Sequence, residues 1–281
     1  MIRLTYILIF NFIFCLGMQS TYLSNDAFQL ATSNSGIANS KNIGINSASI
    51  NNIKNSFSFS SITWYQDIKG GDISYKWGKE NHHHINLYTL SANDIGLWYD
   101  IPNDNPVDLF DVHHMSFGYT FGKNFMDKIN IGLSNSFIYN QLYIDESYGY
   151  NLDFGISYIH NPNFSIGLSI NNLGFEKTEN SQIAYPILAG IGTSIRFNSL
   201  KTNFNTDLIY DERLSDKIVY KLSSITKLPY ISFISGYNYS SQKKEFSCGI
   251  SFKYRKIEFD YGISFHNALG NPVIFSLKYH I

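Results

Sequence analysis

The chain has 281 residues, 44% hydrophobic and 16% aromatic but only 15% charged, well below the roughly 25% charged of an average soluble domain. Lys plus Arg number 21 and Asp plus Glu 22, so no cationic surplus exists to neutralise a phosphate backbone, which excludes nucleic acid as a partner. A mean hydropathy of -0.14 excludes a bundle of membrane helices, each of which needs about 20 consecutive apolar residues.

Arg3, the apolar run Leu4 to Leu16 and the small and polar Gly17, Gln19 and Ser20 predict a secretory signal peptide over 1–20. A retained signal anchor is the alternative, although the run is short for a membrane span. Phe12, Ile13 and Phe14 before Cys15 do not make a lipid-attachment site. Cleavage leaves Cys248 alone, so no intramolecular disulfide holds the mature chain.

Residues 21–55 are rich in Ser, Asn, Ala, Gly and Ile, with weak periodicity. They read either as a disordered leader or, on the strength of Ala27, Leu30, Ala31, Ile37 and Ile45, as a plug or hatch folded against a lumen wall. The scarcity of large apolar residues argues against a deep apolar pocket lined from this segment.

From 56 to 281 the pattern changes to short segments of period two separated by Gly, Asn, Asp, Ser and Pro. Tyr150, Leu152, Phe154, Ile156 and Tyr158 mark one segment, and Phe164, Ile166, Leu168 and Ile170 the next. Phe246, Cys248, Ile250 and Phe252 are followed across Arg255-Lys256 by Ile257, Phe259, Tyr261 and Ile263. Fourteen segments emerge, those near 71–79, 83–91 and 216–224 being the weakest. Strands of roughly ten residues are what a tilted crossing of a bilayer requires. The prolines fall in connections or at strand starts, where no ladder bond is lost.

Alternation of an apolar face with a Ser-, Asn-, Gly-, Lys- and Asp-rich face suits lipid outside and a polar lumen inside. A secreted soluble β-sandwich would alternate in the same way. The balance tips on aromatic residues near strand ends, among them Tyr75, Trp77, Tyr119, Tyr139, Tyr158, Tyr237 and Tyr239, which suit interfacial girdles. The expected fold is therefore all-β, an antiparallel transmembrane β-barrel of about fourteen strands, with a plug in its lumen. Two long connections, 91–111 and 173–186, are expected as extracellular loops. Trp98, Asp100 and Asp104 in the first are candidate contacts for a partner.

Little in the chain suggests catalysis. His82-His83-His84 is conspicuous, but successive strand residues face opposite sides and cannot converge on one metal ion, so a solvated turn is the simpler reading. His113 and His114 meet the same objection. No phosphate loop, zinc spacing or nucleophile elbow is present, and Ser, His and Asp are scattered without triad geometry. No cofactor or metal is implied. Asp67, Asp153, Asp207 and Asp260 lie beside apolar neighbours in a phase that points them inward, as candidates for lining the lumen.

Several short motifs resemble those of the PorV/PorQ family of outer-membrane barrels, relatives of the long-chain fatty-acid transporter FadL. Asn46-Ser47-Ala48-Ser49-Ile50 stands where the family carries Asn-Pro-Ala-Gly-Leu, without the proline. Trp64-Tyr65-Gln66-Asp67-Ile68-Lys69 resembles the family's Trp-x-x-Asp-Ile-Arg, and Lys128-Ile129-Asn130-Ile131-Gly132 its middle portion. Asn172-Leu173-Gly174 and Leu269-Gly270-Asn271 resemble its strand-closing and strand-opening motifs. The chain ends in Ile281 rather than an aromatic residue.

The resemblance implies a fourteen-stranded barrel with a hatch, located in the outer membrane and in contact with its lipid. It also implies a noncatalytic role in type IX secretion, with secretion components or secreted cargo docked on the extracellular loops. The alternative is a FadL-like transporter of a hydrophobic small molecule.

Overall fold

The computed structural model describes residues 23–38, 41, 43–65, 68–98, 105–126, 128–242, 244–266 and 270–281. A single antiparallel sheet contains β1 (Ser56–Thr63), β2 (Lys69–Gly78), β3 (Asn81–Leu97), β4 (Asp108–Phe125), β5 (Ile129–Leu142), β6 (Asp145–Asn161) and β7 (Phe164–Lys177). It continues through β8 (Gln182–Ala184), β9 (Leu188–Phe197), β10 (Thr202–Asp211), β11 (Ile218–Lys227), β12 (Ile231–Tyr239), β13 (Lys244–Tyr254), β14 (Ile257–Phe265) and β15 (Val273–His280). β1 pairs with both β2 and β15, which closes a barrel of 14 strands. The short β8 adds only to the rim of β7, which pairs below it with β9.

Closure satisfies the backbone, and the side chains show which solvent surrounds it. Along β13, Phe246, Ile250 and Phe252 are 47%, 47% and 42% exposed on the outer face, while Glu245, Ser247 and Ser251 are buried within. This is a water-soluble sandwich turned inside out, and it settles the choice between the two in favour of a hydrocarbon exterior. The described residues include no helix long and apolar enough to cross a membrane. The crossing is made by strands.

The barrel has two unlike ends. Tight turns at 79–80, 162–163 and 255–256 share one end with the start of β1 and the end of β15. The opposite end carries the longer connections, 98–107, 178–187, 212–217 and 266–272. Trp77 stacks on His83 near the turn end, and Tyr139 packs on Tyr148 near the loop end, so aromatic residues ring both interfaces.

The wall is also uneven in height. β3 to β7 run for 14 to 18 residues, whereas β1 and β15 have 8 each. This corrects the expected loops. β3 and β4 keep pairing past a bulge between Ala92 and Ile95, so the connection shrinks from 91–111 to 98–107. β7 likewise runs to Lys177, leaving 178–187 with β8 inside it in place of 173–186. Both extensions carry acidic residues, which read as loop in the sequence because strand propensity is low there. Pairing with the neighbouring strand overrides it.

Candidate functional site

The lumen is occupied by the segment between Leu23 and Asn55. α1 (Ala27–Ala31) starts at Asp26, whose carboxylate accepts the Gln29 amide N–H at 2.7 Å, and all five of its residues are buried. A 3-10 helix (Ser47–Asn52) starts at Asn46, whose side-chain oxygen accepts the Ala48 N–H at 2.9 Å. Both are N-caps of the usual kind.

Between these two helices the segment follows the inner wall around the barrel. Ala27 donates its amide to Ser276 Oγ of β15 at 2.9 Å. Ala31 lies over Gly249 of β13, and Thr32-Ser33 over Gly236 of β12. Lys221 of β11 donates to the Asn34 carbonyl at 3.2 Å. Asp207 of β10 accepts the Gly36 and Ile37 amides at 2.6 and 3.2 Å. Ile37 then crosses Gly192 of β9 and Gly167 of β7, Asn46 and Ala48 meet Gly155 of β6 and Gly132 of β5, and Ile50 meets Gly122 of β4. Lys76 of β2 donates to the Ile53 carbonyl just before the chain enters β1.

The hatch is thus a ring laid on the wall rather than a stopper across it. The wall is prepared for it: Gly122 pairs with Gly132, Gly132 with Gly155, Gly167 with Gly192, and Gly249 with Gly262. A Cβ at any of these positions would overlap the ring, so the glycines supply space for close backbone approach.

Ion pairs fasten the ring toward the turn end. Lys278 lies 3.1 Å from Asp260 and 3.6 Å from Asp26, while Glu258 is met by Lys41 at 2.9 Å, His280 at 2.9 Å and Lys253 at 3.5 Å. Asp260 and Glu258 are almost wholly buried, so these pairs operate where screening by solvent is weak.

Inside the ring remains a cavity of about 2060 Å³, whose lining extends from Trp64, Tyr65 and Leu214 at the loop end to Lys54, Lys253 and His280 at the turn end. Its character changes along the axis. Toward the loops, Tyr88 and Leu90 cluster with Leu30, and Leu23, Trp64 and Ile68 pack against them. Ile209 and Val219 cluster with Ile37 and Ile45, flanked by Leu188 and Leu214. Below the ring the lining carries Lys76, Lys253, Lys278 and Glu258, and at the loop rim it carries Glu146, Lys177, Asp211 and Arg213. The sequence argued against an apolar pocket lined from the hatch. The structure differs because Leu23, Leu30, Ile37 and Ile45, few as they are, all point into this space.

Asp207 is 1% exposed and holds the ring; Asp260 is 1% exposed and ion-paired. Asp153 lies on the cavity lining, accepting the Asn172 amide at 2.8 Å and the Asn151 side chain at 3.1 Å. Asn172 adopts a positive φ of 67° at a bulge between β6 and β7, and Gly174 packs under the Tyr150 carbonyl. Asn46 and Ala48 are fully buried in the ring, and Trp64 flanks the loop-end cluster. Gly270 has φ 93° in an open turn, followed by exposed Asn271, and Trp98 is 55% exposed at the start of its loop. Asp67, Asp100, Asp104 and Leu269 lie outside the described residues, as does the predicted signal peptide.

The histidine triplet is not a solvated turn. It opens β3, with His82 buried inside and His83 outside against Trp77 and Tyr119, because pairing with β2 and β4 continues through it. The glycine belt escaped the sequence reading, although glycine recurring inside strands is itself a signal of close backbone approach.

A closed antiparallel barrel, apolar outside and threaded by its own N-terminal segment, defines a membrane-spanning protein of the outer-membrane type. No protein-family model and no curated protein matches the chain. Among solved structures it is similar to the Ralstonia pickettii toluene transporter TbuX, with a TM-score of 0.65 and 10% identity over 91% of this chain and 98% of that one. The Pseudomonas putida toluene transporter TodX gives 0.66 and 11% over 90% and 96%, and the monoaromatic hydrocarbon channel CymD 0.63 and 10% over 91% and 97%. At such identities the likeness is one of fold.

Proposed function

We propose that the protein is an outer-membrane channel for hydrophobic small molecules, the chain being delivered by a cleaved signal peptide over 1–20 and the loop end facing outward. The observation that carries this reading is the apolar loop-end chamber, built jointly by the hatch and the upper wall and open to the rest of the lumen. A water-filled porin needs no such chamber, whereas an apolar solute leaving a polar exterior gains about 25 cal/mol for each Å² it buries there. The shared fold with toluene transporters supports the same reading. No step of it is catalytic.

A second reading, docking of secretion components or secreted cargo as the PorV/PorQ resemblance implies, rests on exposed Trp98 at the loop end. It predicts stoichiometric protein partners in gently solubilised membrane and no effect on solute entry.

The test is uptake of radiolabelled toluene by intact Gram-negative cells, whose outer leaflet slows hydrophobic solutes, with and without the protein. Faster uptake that is lost in Leu90→Arg, with the barrel still folded by heat-modifiable gel mobility, supports the channel. Uptake equal to that of cells lacking the protein overturns it.

A further inference from the structure

Beside the apolar clusters of the loop-end chamber runs one row of inward polar side chains on consecutive strands: Tyr88 of β3, His114 of β4, Asn140 of β5, Ser147 of β6 and Glu176 of β7, all on the cavity lining. They form a connected series. The Tyr88 and His114 rings meet edge-on at 5.7 Å, and His114 Nδ1 is 2.5 Å from Asn140 Oδ1. Asn140 Nδ2 donates to Glu176 Oε1 at 2.8 Å, and the Ser147 hydroxyl donates to the same oxygen.

This row is left unmet at both ends. Glu176 Oε2 and the Tyr88 hydroxyl are buried without a hydrogen-bond partner. Among the other carboxylates on the lining are Asp72, accepting from Asn86 at 3.3 Å, and Asp153, held as described above. Among the described residues no lysine or arginine forms an ion pair with Glu176, Asp72 or Asp153; Lys41, Lys253 and Lys278 pair toward the turn end or with the ring, and Arg213 pairs with Asp211 at the loop rim. The row therefore sets one buried carboxylate oxygen, Glu176 Oε2, without a donor beside apolar walls. An anion seated against Glu176 is repelled by that carboxylate at low effective dielectric, while a neutral donor completes the row.

Granting the channel reading, we infer that the chamber selects neutral apolar molecules bearing a hydroxyl group and refuses their carboxylate analogues. The hydrocarbon body packs on Leu90, Val112 and Ile138, and the hydroxyl donates to the free oxygen of Glu176. A site built to bond a hydroxyl discriminates strongly against analogues that lack or replace it. That places the specificity in the row rather than in the apolar walls.

The experiment compares three ligands of one skeleton, toluene, p-cresol and p-toluate, by titration calorimetry at neutral pH on the full chain in lipid nanodiscs, corrected for empty nanodiscs. The expected order is p-cresol bound about tenfold more tightly than toluene, and p-toluate at least about tenfold more weakly than p-cresol, as one charge-assisted hydrogen bond and one charge repulsion supply. Glu176→Gln, which keeps the volume and removes the charge, narrows the gap between p-cresol and p-toluate. Equal binding of p-toluate and p-cresol to the unaltered protein overturns the inference whether or not the variant folds. So does an unchanged gap in a folded variant. Toluene binding without a p-cresol preference removes this inference alone, whereas no binding of any of the three removes the channel reading with it.

Discussion

Gly236→Ala is expected to loosen the ring without opening the barrel. The new Cβ would lie 2.6 Å from both Ser33 N and Thr32 O, backbone atoms that cannot rotate away, whereas ordinary contacts begin at 3.4 Å. β12 is held in register on both sides, Gly236 opposite Ser223 and Ser247. The ring must therefore move by nearly 1 Å. The Ser33–Ser247 hydroxyl bond, now 3.0 Å, would be stretched beyond useful length. Overpacking costs about 1–3 kcal/mol and the lost bond about 1 kcal/mol, together roughly 2–4 kcal/mol on docking of α1. That corresponds to about thirty- to nine-hundred-fold faster hydrogen exchange at the Thr32, Ser33 and Asn34 amides, which close α1 on Phe28, Leu30 and Gln29. Tyr237→Phe, on the outer face of the same strand, is the control. Unchanged exchange in a folded Gly236→Ala barrel would refute the claim that the wall glycines exist to seat the ring.

Three further outcomes are expected. Lys278→Met strands Asp260 and Asp26 without their cation and should cost about 3 kcal/mol, the penalty of breaking a buried pair, visible as a lower urea midpoint in lipid vesicles; no shift would mean the pair is solvated. Asp207→Ala leaves the buried Gly36 and Ile37 amides without an acceptor, a loss of about 2–4 kcal/mol in ring docking, to be read from exchange at those two amides with the barrel unfolding midpoint as reference. Leu133→Arg places a charge on the outer face opposite Phe121 and Phe154, and near mid-membrane it should destabilise the barrel by about 2–4 kcal/mol. An unaltered midpoint would take that face out of hydrocarbon.

Much of the barrel is legible in the sequence because strand side chains alternate strictly, so Phe246, Ile250 and Phe252 announce a face without knowledge of any neighbour. The sequence leaves open whether that face meets lipid or a second sheet, and burial of Ser247 and Ser251 on the other side resolves it. Strand ends are less visible: Asp94, Asp108 and Asp111 look like loop, yet β3 and β4 run through or up to them because each has a partner strand. The site is legible only in its parts. Tyr88, His114, Asn140 and Glu176 are scattered over nearly ninety positions, and only the register from β3 to β7 sets them side by side. Their relation is a property of pairing, which local patterns do not encode.

The ring ties together chain segments made at opposite times. Ala27 is bonded to Ser276, 249 positions away, and Gly36 to Asp207, 171 positions away. These contacts have no surface to form on until the last strands exist, so loop closure over most of the chain precedes them. The ring segment, made before any strand, is then the last to settle. By bridging β15 to β2 from within, through Ser276 and Lys76, it straps the β1–β15 seam that closes the cylinder. A chain truncated before β15 is expected to leave its own leader undocked, which gives the finished barrel a built-in mark of completed assembly.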